Sequence, residues 1–168
     1  INEPIVLSKL SLMPVRGKYT YTDYIADQTA PEAGENGKKY VQIVEGEDST
    51  VRSESSLYAK YDKSAPNTSP YSVTKTILNY IGGESWKKSG QWIEWEFEVP
   101  EDGYYNITIK GRQNYDRGSV AARTLTIDGE VPFDEMKEVS FAYSNEWNNM
   151  MLADENGDAY RFYLEKGK

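Results

Sequence analysis

Two carboxylates one residue apart, Glu45 and Glu47, are the first groups along the chain whose spacing suggests chemistry. In an extended segment a period of two puts both on one face, where hard oxygen ligands could share a structural calcium ion. The alternative is a solvated acidic strand end. The run Asp154-Glu155-Asn156-Gly157-Asp158 also offers oxygen ligands, but it lacks the alternating order of an EF-hand loop and reads as a turn. Glu94, Glu96 and Glu98 form a row on a strand face open to water, with nothing to raise a pKa toward general-acid range. Glycoside hydrolysis needs two carboxylates about 5–5.5 or 6.5–9.5 Å apart across a cleft. With 27 acids in the chain some pair meets that by chance, so acids alone do not argue for it. Gly82-Gly83 is no phosphate loop, because Walker spacing and its Lys-Ser/Thr are missing. The chain has no His and no Cys, which removes the commonest general base, Ser-His and Cys-His dyads, thiolate metal sites and disulfides. A non-enzyme is expected.

What the sequence has in quantity is tyrosine: Tyr 14 against Phe 4 and Trp 4. Tyrosine suits half-buried strand surfaces and sites with one apolar face and one wet edge. The length of 168 residues fits one domain. A net charge of −8 argues against nucleic acid, whose phosphates call for a surplus of Lys and Arg. No apolar run approaches the ~20 residues of a membrane span, so no direct membrane insertion is expected. The chain begins at Ile1 and ends on Lys166-Gly167-Lys168, which reads as a piece of something longer.

These groups need elements to hold them. Residues 1–38 read as an N-terminal arm or linker: two short apolar runs are broken by Pro14 and Gly17, and 22–26 predicts a helical turn or two with Thr22 as N-cap. From Tyr40 the pattern is β. Residues 40–44 predict a short strand, and 74–78 a second inside a long irregular stretch. The clearest signal is 91–99, where Ile93, Trp95, Phe97 and Val99 alternate with Trp92, Glu94, Glu96 and Glu98. Pro100-Glu101-Asp102-Gly103 predicts a turn, and 104–110 alternates again, with Tyr105, Ile107 and Ile109 inward. Together they predict a β-hairpin in which Lys110 offsets the glutamate row. Residues 123–127, closed by Asp128-Gly129, and 160–164 complete the set. Several short strands between Pro/Gly/Asp turns predict an all-β sandwich or jelly roll, with an up-and-down barrel as the weaker alternative.

The runs Ser89-Gly90-Gln91-Trp92-Ile93-Glu94-Trp95, Val99-Pro100-Glu101-Asp102-Gly103-Tyr104-Tyr105 and Leu125-Thr126-Ile127-Asp128-Gly129 resemble the core of family 6 and family 35 carbohydrate-binding modules. These belong to the galactose-binding-domain-like β-jelly rolls. The resemblance covers about residues 40–168, so the expected domain is 39–168. It extends to domains of large extracellular solute-binding lipoproteins in Gram-positive sugar-uptake systems. It therefore implies an exported or cell-surface bacterial module beside neighbouring domains. In such modules one more strand would follow 162–168, so a missing last strand and an open edge are expected here.

The resemblance also implies a glycan site in the loops at one end of the sandwich. Sugar binding needs flat aromatic faces and a few rigid polar groups. The matching stretches are 79–86 and 143–148, with 112–118 as a third loop rich in hydrogen-bonding groups. Trp86 and Trp147 are the expected platforms, Tyr80 and Tyr115 the reserves, and Arg112, Asn114 and Asn79 the hydroxyl partners. Glu45 and Glu47 match the structural calcium pair common in such modules. The bland alternatives stay open: Trp147 as a plug at one end of the sandwich, Tyr80 as core, Arg112 balancing a nearby acid. If they hold, the domain is a structural or protein-interaction jelly roll without a sugar site.

Overall fold

Thr20, not Thr22, starts the first helix. The structure, a computed structural model, describes residues 17–28 and 40–167. Helix α1 (Tyr21–Asp27) is opened by a capping box. The Asp23 N–H donates to the Thr20 hydroxyl oxygen (3.4 Å), and the Thr20 N–H donates to Asp23 Oδ2 (2.8 Å). Thr22 falls inside the first turn, past the position from which a side chain caps the helix. Tyr21, Tyr24 and Ile25 share one face at helical spacing. That face joins the core: the Tyr24 ring lies 5.2 Å from Phe133 and the Tyr21 ring 4.8 Å from Tyr160. The described part of the expected linker is thus built into the domain. It is too short to show a sustained helical stripe in the sequence.

The strands in chain order are β1 (Val51–Arg52), β2 (Ala59–Lys60), β3 (Tyr80–Ile81), β4 (Ile93–Glu94), β5 (Gly103–Tyr105), β6 (Thr108–Gly111), β7 (Val120–Arg123), β8 (Val139–Ala142), β9 (Asn148–Met151) and β10 (Phe162–Leu164). All pairs are antiparallel: β1 with β4, β2 with β3, β5 with β10, β6 with β9 and β7 with β8. The pairing is nested, β7–β8 inside β6–β9 inside β5–β10, and β2–β3 inside β1–β4. Of the expected all-β sandwich, the structure shows a mostly-β fold with little helix, built of short two-stranded ladders.

The hairpin expected over 91–110 is not formed. Its alternation holds, since Trp92, Glu94, Glu96 and Glu98 are exposed, Ile93 and Trp95 half-buried and Val99 buried. Phe97 departs from the inward row and sits at the exposed margin. But β4 lies beside β1, and β5 and β6 lie beside β10 and β9, so 100–103 carries the chain from one ladder to another. A period of two says which face is buried, not which strand lies alongside. Lys110 accordingly donates to the Asn67 carbonyl rather than facing the glutamate row. The local hairpin is β7–β8. Its tip is Asp128–Gly129, both at positive φ (52° and 81°), as a type I′ turn requires. Ile127 and Glu130 exchange both backbone hydrogen bonds there, at 2.8 and 3.1 Å.

Other strand expectations shift as well. Residues 74–78 join no ladder, which begins instead at Tyr80, and the strand expected at 123–127 runs as a ladder over Val120–Arg123. Residues 40–44 are in no ladder among the described residues, with Val41 and Ile43 exposed. The core gathers Tyr24, Phe133, Met136, Val139, Leu152, Tyr160 and Phe162. The Phe133 and Phe162 rings stack at 5.5 Å. The edge of β10 away from β5 is covered by α1. The Arg161 N–H donates to the Tyr21 hydroxyl (3.1 Å) and the Tyr163 N–H to the Tyr24 hydroxyl (2.8 Å). Tyrosine oxygens thus take donors that a further strand would otherwise have to satisfy.

Candidate functional site

Just past β3 the chain turns at Gly82 and Gly83, both at positive φ (97° and 66°). A Cβ on Gly82 would stand 3.1 Å from Trp86 Cε3, so both the backbone conformation and the indole demand glycine. A single 3-10 turn (Gly83–Ser85) then delivers Trp86, whose N–H closes the turn on the Gly83 carbonyl at 2.9 Å. Lys60 on β2 holds the start of this turn, donating to the Gly82 carbonyl and to Ser85 Oγ, both at 2.9 Å. Arg123 at the end of β7 holds the other end, donating to the Trp86 carbonyl at 2.7 Å. Its guanidinium lies 4.7 Å from the Trp86 ring centroid. The Trp86 indole N–H donates to the Gln91 carbonyl (3.3 Å).

The rest of the cluster follows from Gly83. The Tyr115 hydroxyl and the Tyr80 ring pack over this glycine, 3.3 and 3.7 Å from where its Cβ would stand. Tyr80 meets Trp147 edge-on at 5.8 Å. The Trp147 indole N–H donates to Asp62 Oδ2 at 2.8 Å, and Arg112 pairs with the same oxygen at 2.9 Å. The Arg112 guanidinium covers the Trp147 ring at 4.9 Å. Burial pushes the Asp62 carboxyl up. Hydrogen bonds from Ser64 and Trp147 and the Arg112 charge outweigh that and hold it below the usual carboxylate range.

Of the residues expected to form a site, Trp147, Tyr80, Tyr115 and Arg112 therefore make one cluster, which Trp86 adjoins through the Gly82–Gly83 turn. Tyr115 is its exposed member at 62%; the others are half-buried. Asn114 is half-buried in the loop that carries Tyr115. Asn79 is buried, and its side chain faces the scaffold: the amide donates to the Asp62 carbonyl (2.9 Å) and the Pro70 carbonyl (3.0 Å), and Oδ1 accepts the Asp62 N–H (2.7 Å). It is the bracket of the 62–70 loop rather than a hydroxyl partner. Three members were not singled out from the sequence: Asp62, Lys60 and Arg123. The one local signal is the Asx-type turn at Asp62, whose Oδ1 accepts the Ser64 N–H at 2.7 Å. That marks a turn, and says nothing of a tryptophan 85 residues further on.

Glu45 and Glu47 lie elsewhere. A 3-10 turn (Gly46–Asp48) replaces the extended segment on which their pairing was argued, yet both line one open groove of about 630 Å³ with Pro70, Ile77 and Leu78. Glu45 Oε1 accepts the Ser69 hydroxyl at 3.0 Å, while Glu47 Oε2 is buried with no hydrogen-bond partner. Among the described residues no group of three or more His, Cys, Asp or Glu is arranged to hold a metal ion. Burial pushes the Glu47 carboxyl above its usual range. A raised carboxyl binds its proton more readily folded than unfolded, so its contribution becomes unfavourable as pH rises through that range. Glu47→Gln is therefore expected to raise Tm by about 1–2 °C at pH 7, with the gain fading toward pH ~4. Repeating the melt with added calcium and with chelator tests the calcium expectation. A calcium site predicts the opposite sign, a lower Tm for the variant in calcium only.

Among the described residues no helix is long and apolar enough to cross a membrane. No family model matches the chain, and no curated protein and no solved structure is similar to it.

Proposed function

We propose that this chain is a non-catalytic carbohydrate-binding module of jelly-roll architecture from an exported bacterial protein. The observation that carries the reading is the meeting of Tyr80, Tyr115, Trp147 and Arg112 in one partly open cluster, with Trp86 beside it on the Gly82–Gly83 turn. Aromatic faces beside rigid hydrogen-bonding groups are what a pyranose requires. The nested strand pairing supports the jelly roll, because winding one long hairpin into two layers pairs strands from the inside outward. The ligand is a soluble or surface glycan, held without chemistry on it.

A second reading, a structural or protein-interaction module, is favoured by one specific feature. Trp86 and Trp147 each have a guanidinium on the ring and the indole N–H bound internally. The test is titration of tryptophan fluorescence with soluble glycans that score on an array, for the natural chain, Tyr115→Ala and Trp147→Ala. Sugar binding predicts a saturable change, weakened about tenfold or more in both variants. Tyr115 is the informative position, because truncating an exposed ring leaves stability within about 0.5 kcal/mol. An array without hits, with fluorescence unmoved, overturns the sugar reading in favour of the structural one.

A further inference from the structure

The open groove at Glu45 and Glu47 shares no residue with the aromatic cluster, and its lining is of two kinds. Glu45, Glu47 and Asp48 make it acidic, all from one 3-10 turn and its N-cap. Among the described residues none of these three carboxylates has an ion pair. Pro70, Ile77 and Leu78 make the rest of it apolar. One oxygen of Glu47 is buried without a donor, and so is the Ser49 hydroxyl just beyond the turn. A carboxylate oxygen taken out of water with no donor weakens folding, and no described residue offsets that loss. The chain leads into this groove along 40–44, a segment in no ladder, with Val41 and Ile43 81% and 74% exposed. Among the described residues its backbone N–H and C=O groups make no hydrogen bond to other backbone.

We propose that this groove docks a lysine-bearing extended segment of a partner protein, which pairs along 40–44 as an added strand and sets its lysine between the apolar and acidic linings. The surface is separate from the proposed glycan site and stands whether or not that site binds sugar. Charge complementarity selects the occupant. Three carboxylates without a counter-charge call for a cation, and an apolar lining suits one carried on an alkyl stem, as in lysine. A metal ion gains nothing from Pro70, Ile77 and Leu78, because hard cations take oxygen on every side. A second copy of this chain would bring its own charge of −8. Strand addition divides the work: main-chain hydrogen bonds along 40–44 give affinity, and the lysine in the groove gives specificity.

The probe is an array of acetylated heptapeptides with a central lysine and Val, Ile, Leu or Phe two positions to either side, beside the same array with norleucine for lysine. The strongest lysine peptides and their norleucine counterparts are then titrated by fluorescence anisotropy into the natural chain, Glu47→Gln and Ile43→Ser. The natural chain is expected to bind lysine peptides about tenfold more tightly than norleucine ones, with the preference shrinking as salt is raised. Glu47→Gln should bring the two level while melting no lower than the natural chain, so that the loss is not one of folding. Ile43→Ser, at an exposed position, should weaken both peptides alike by several-fold. An array without binding, or lysine and norleucine bound equally by the natural chain, overturns the docking surface. A lysine preference retained in Glu47→Gln overturns it too. Calcium that raises the Tm of the natural chain and not of Glu47→Gln, with no peptide bound, makes the groove an ion site instead.

Discussion

Phe162→Ala is expected to destabilise the domain by about 3–5 kcal/mol, a drop in Tm of roughly 10–15 °C. Phe162 is fully buried in β10, stacked on Phe133, and Phe133 in turn touches Tyr21, Tyr24 and Tyr160. Through Phe133, Phe162 thus ties the last strand to the 133–139 segment and to α1. The cavity left by its removal opens in the middle of the core and strips Phe133 of the ring it stacks on. Chemical denaturation followed by tyrosine and tryptophan emission measures the loss. Phe97→Ala is the control: at the exposed margin it should cost under about 1 kcal/mol. A Phe162→Ala loss no larger than the Phe97→Ala loss would mean that β10 and α1 are not packed as described.

The second large effect is expected at Asp62→Ala, about 2–4 kcal/mol. The Asp62 carboxylate is nearly buried, and the Arg112 side chain beside it is 18% exposed. Removing the carboxylate leaves the guanidinium without its counter-charge and the Trp147 N–H without an acceptor. It also frees the Ser64 N–H that shapes the loop. Arg112→Ala should cost less, because the remaining carboxylate keeps the Ser64 and Trp147 donors, and the double variant should cost less than the sum. The pH dependence has a definite sign. A carboxyl held below its unfolded value adds stability that is complete above the unfolded pKa and is lost as pH falls through the folded one. The natural chain should therefore lose this contribution below about pH 4, and Asp62→Ala should show a flatter acid limb. Equal acid limbs would mean that the Asp62–Arg112 pair adds no stability. The indole of Trp147 should also shift its emission in Asp62→Ala, even where no glycan is present.

The cluster around Asp62 was only half legible in the sequence. Trp86, Trp147, Tyr80, Tyr115 and Arg112 stood out because aromatic and hydrogen-bonding residues recur in turn-rich stretches, and chain composition alone reveals that. Asn79 looked equivalent to them and is not, since whether an amide faces solvent or brackets a loop depends on what folds over it. Asp62 and Arg123 were invisible for the same reason. Each meets its tryptophan 85 or 37 residues away, and nothing along the chain encodes such a meeting.

The sequence by itself determined the β character of the chain, the absence of His and Cys chemistry, and which side of 91–110 faces inward. These follow from covalent spacing: alternate residues on an extended backbone must point to opposite sides wherever the strand is placed. Tertiary structure alone decided that β4 pairs with β1 rather than with the segment after its turn, that α1 plugs the core and covers the β10 edge, and that Asp62 completes one arginine–indole stack and not the other. A backbone ladder can form with any strand of suitable reach, so local pattern leaves the partner undetermined. The selection comes from burying Phe133, Phe162 and Tyr24 together, a free-energy gain that exists only once distant segments meet.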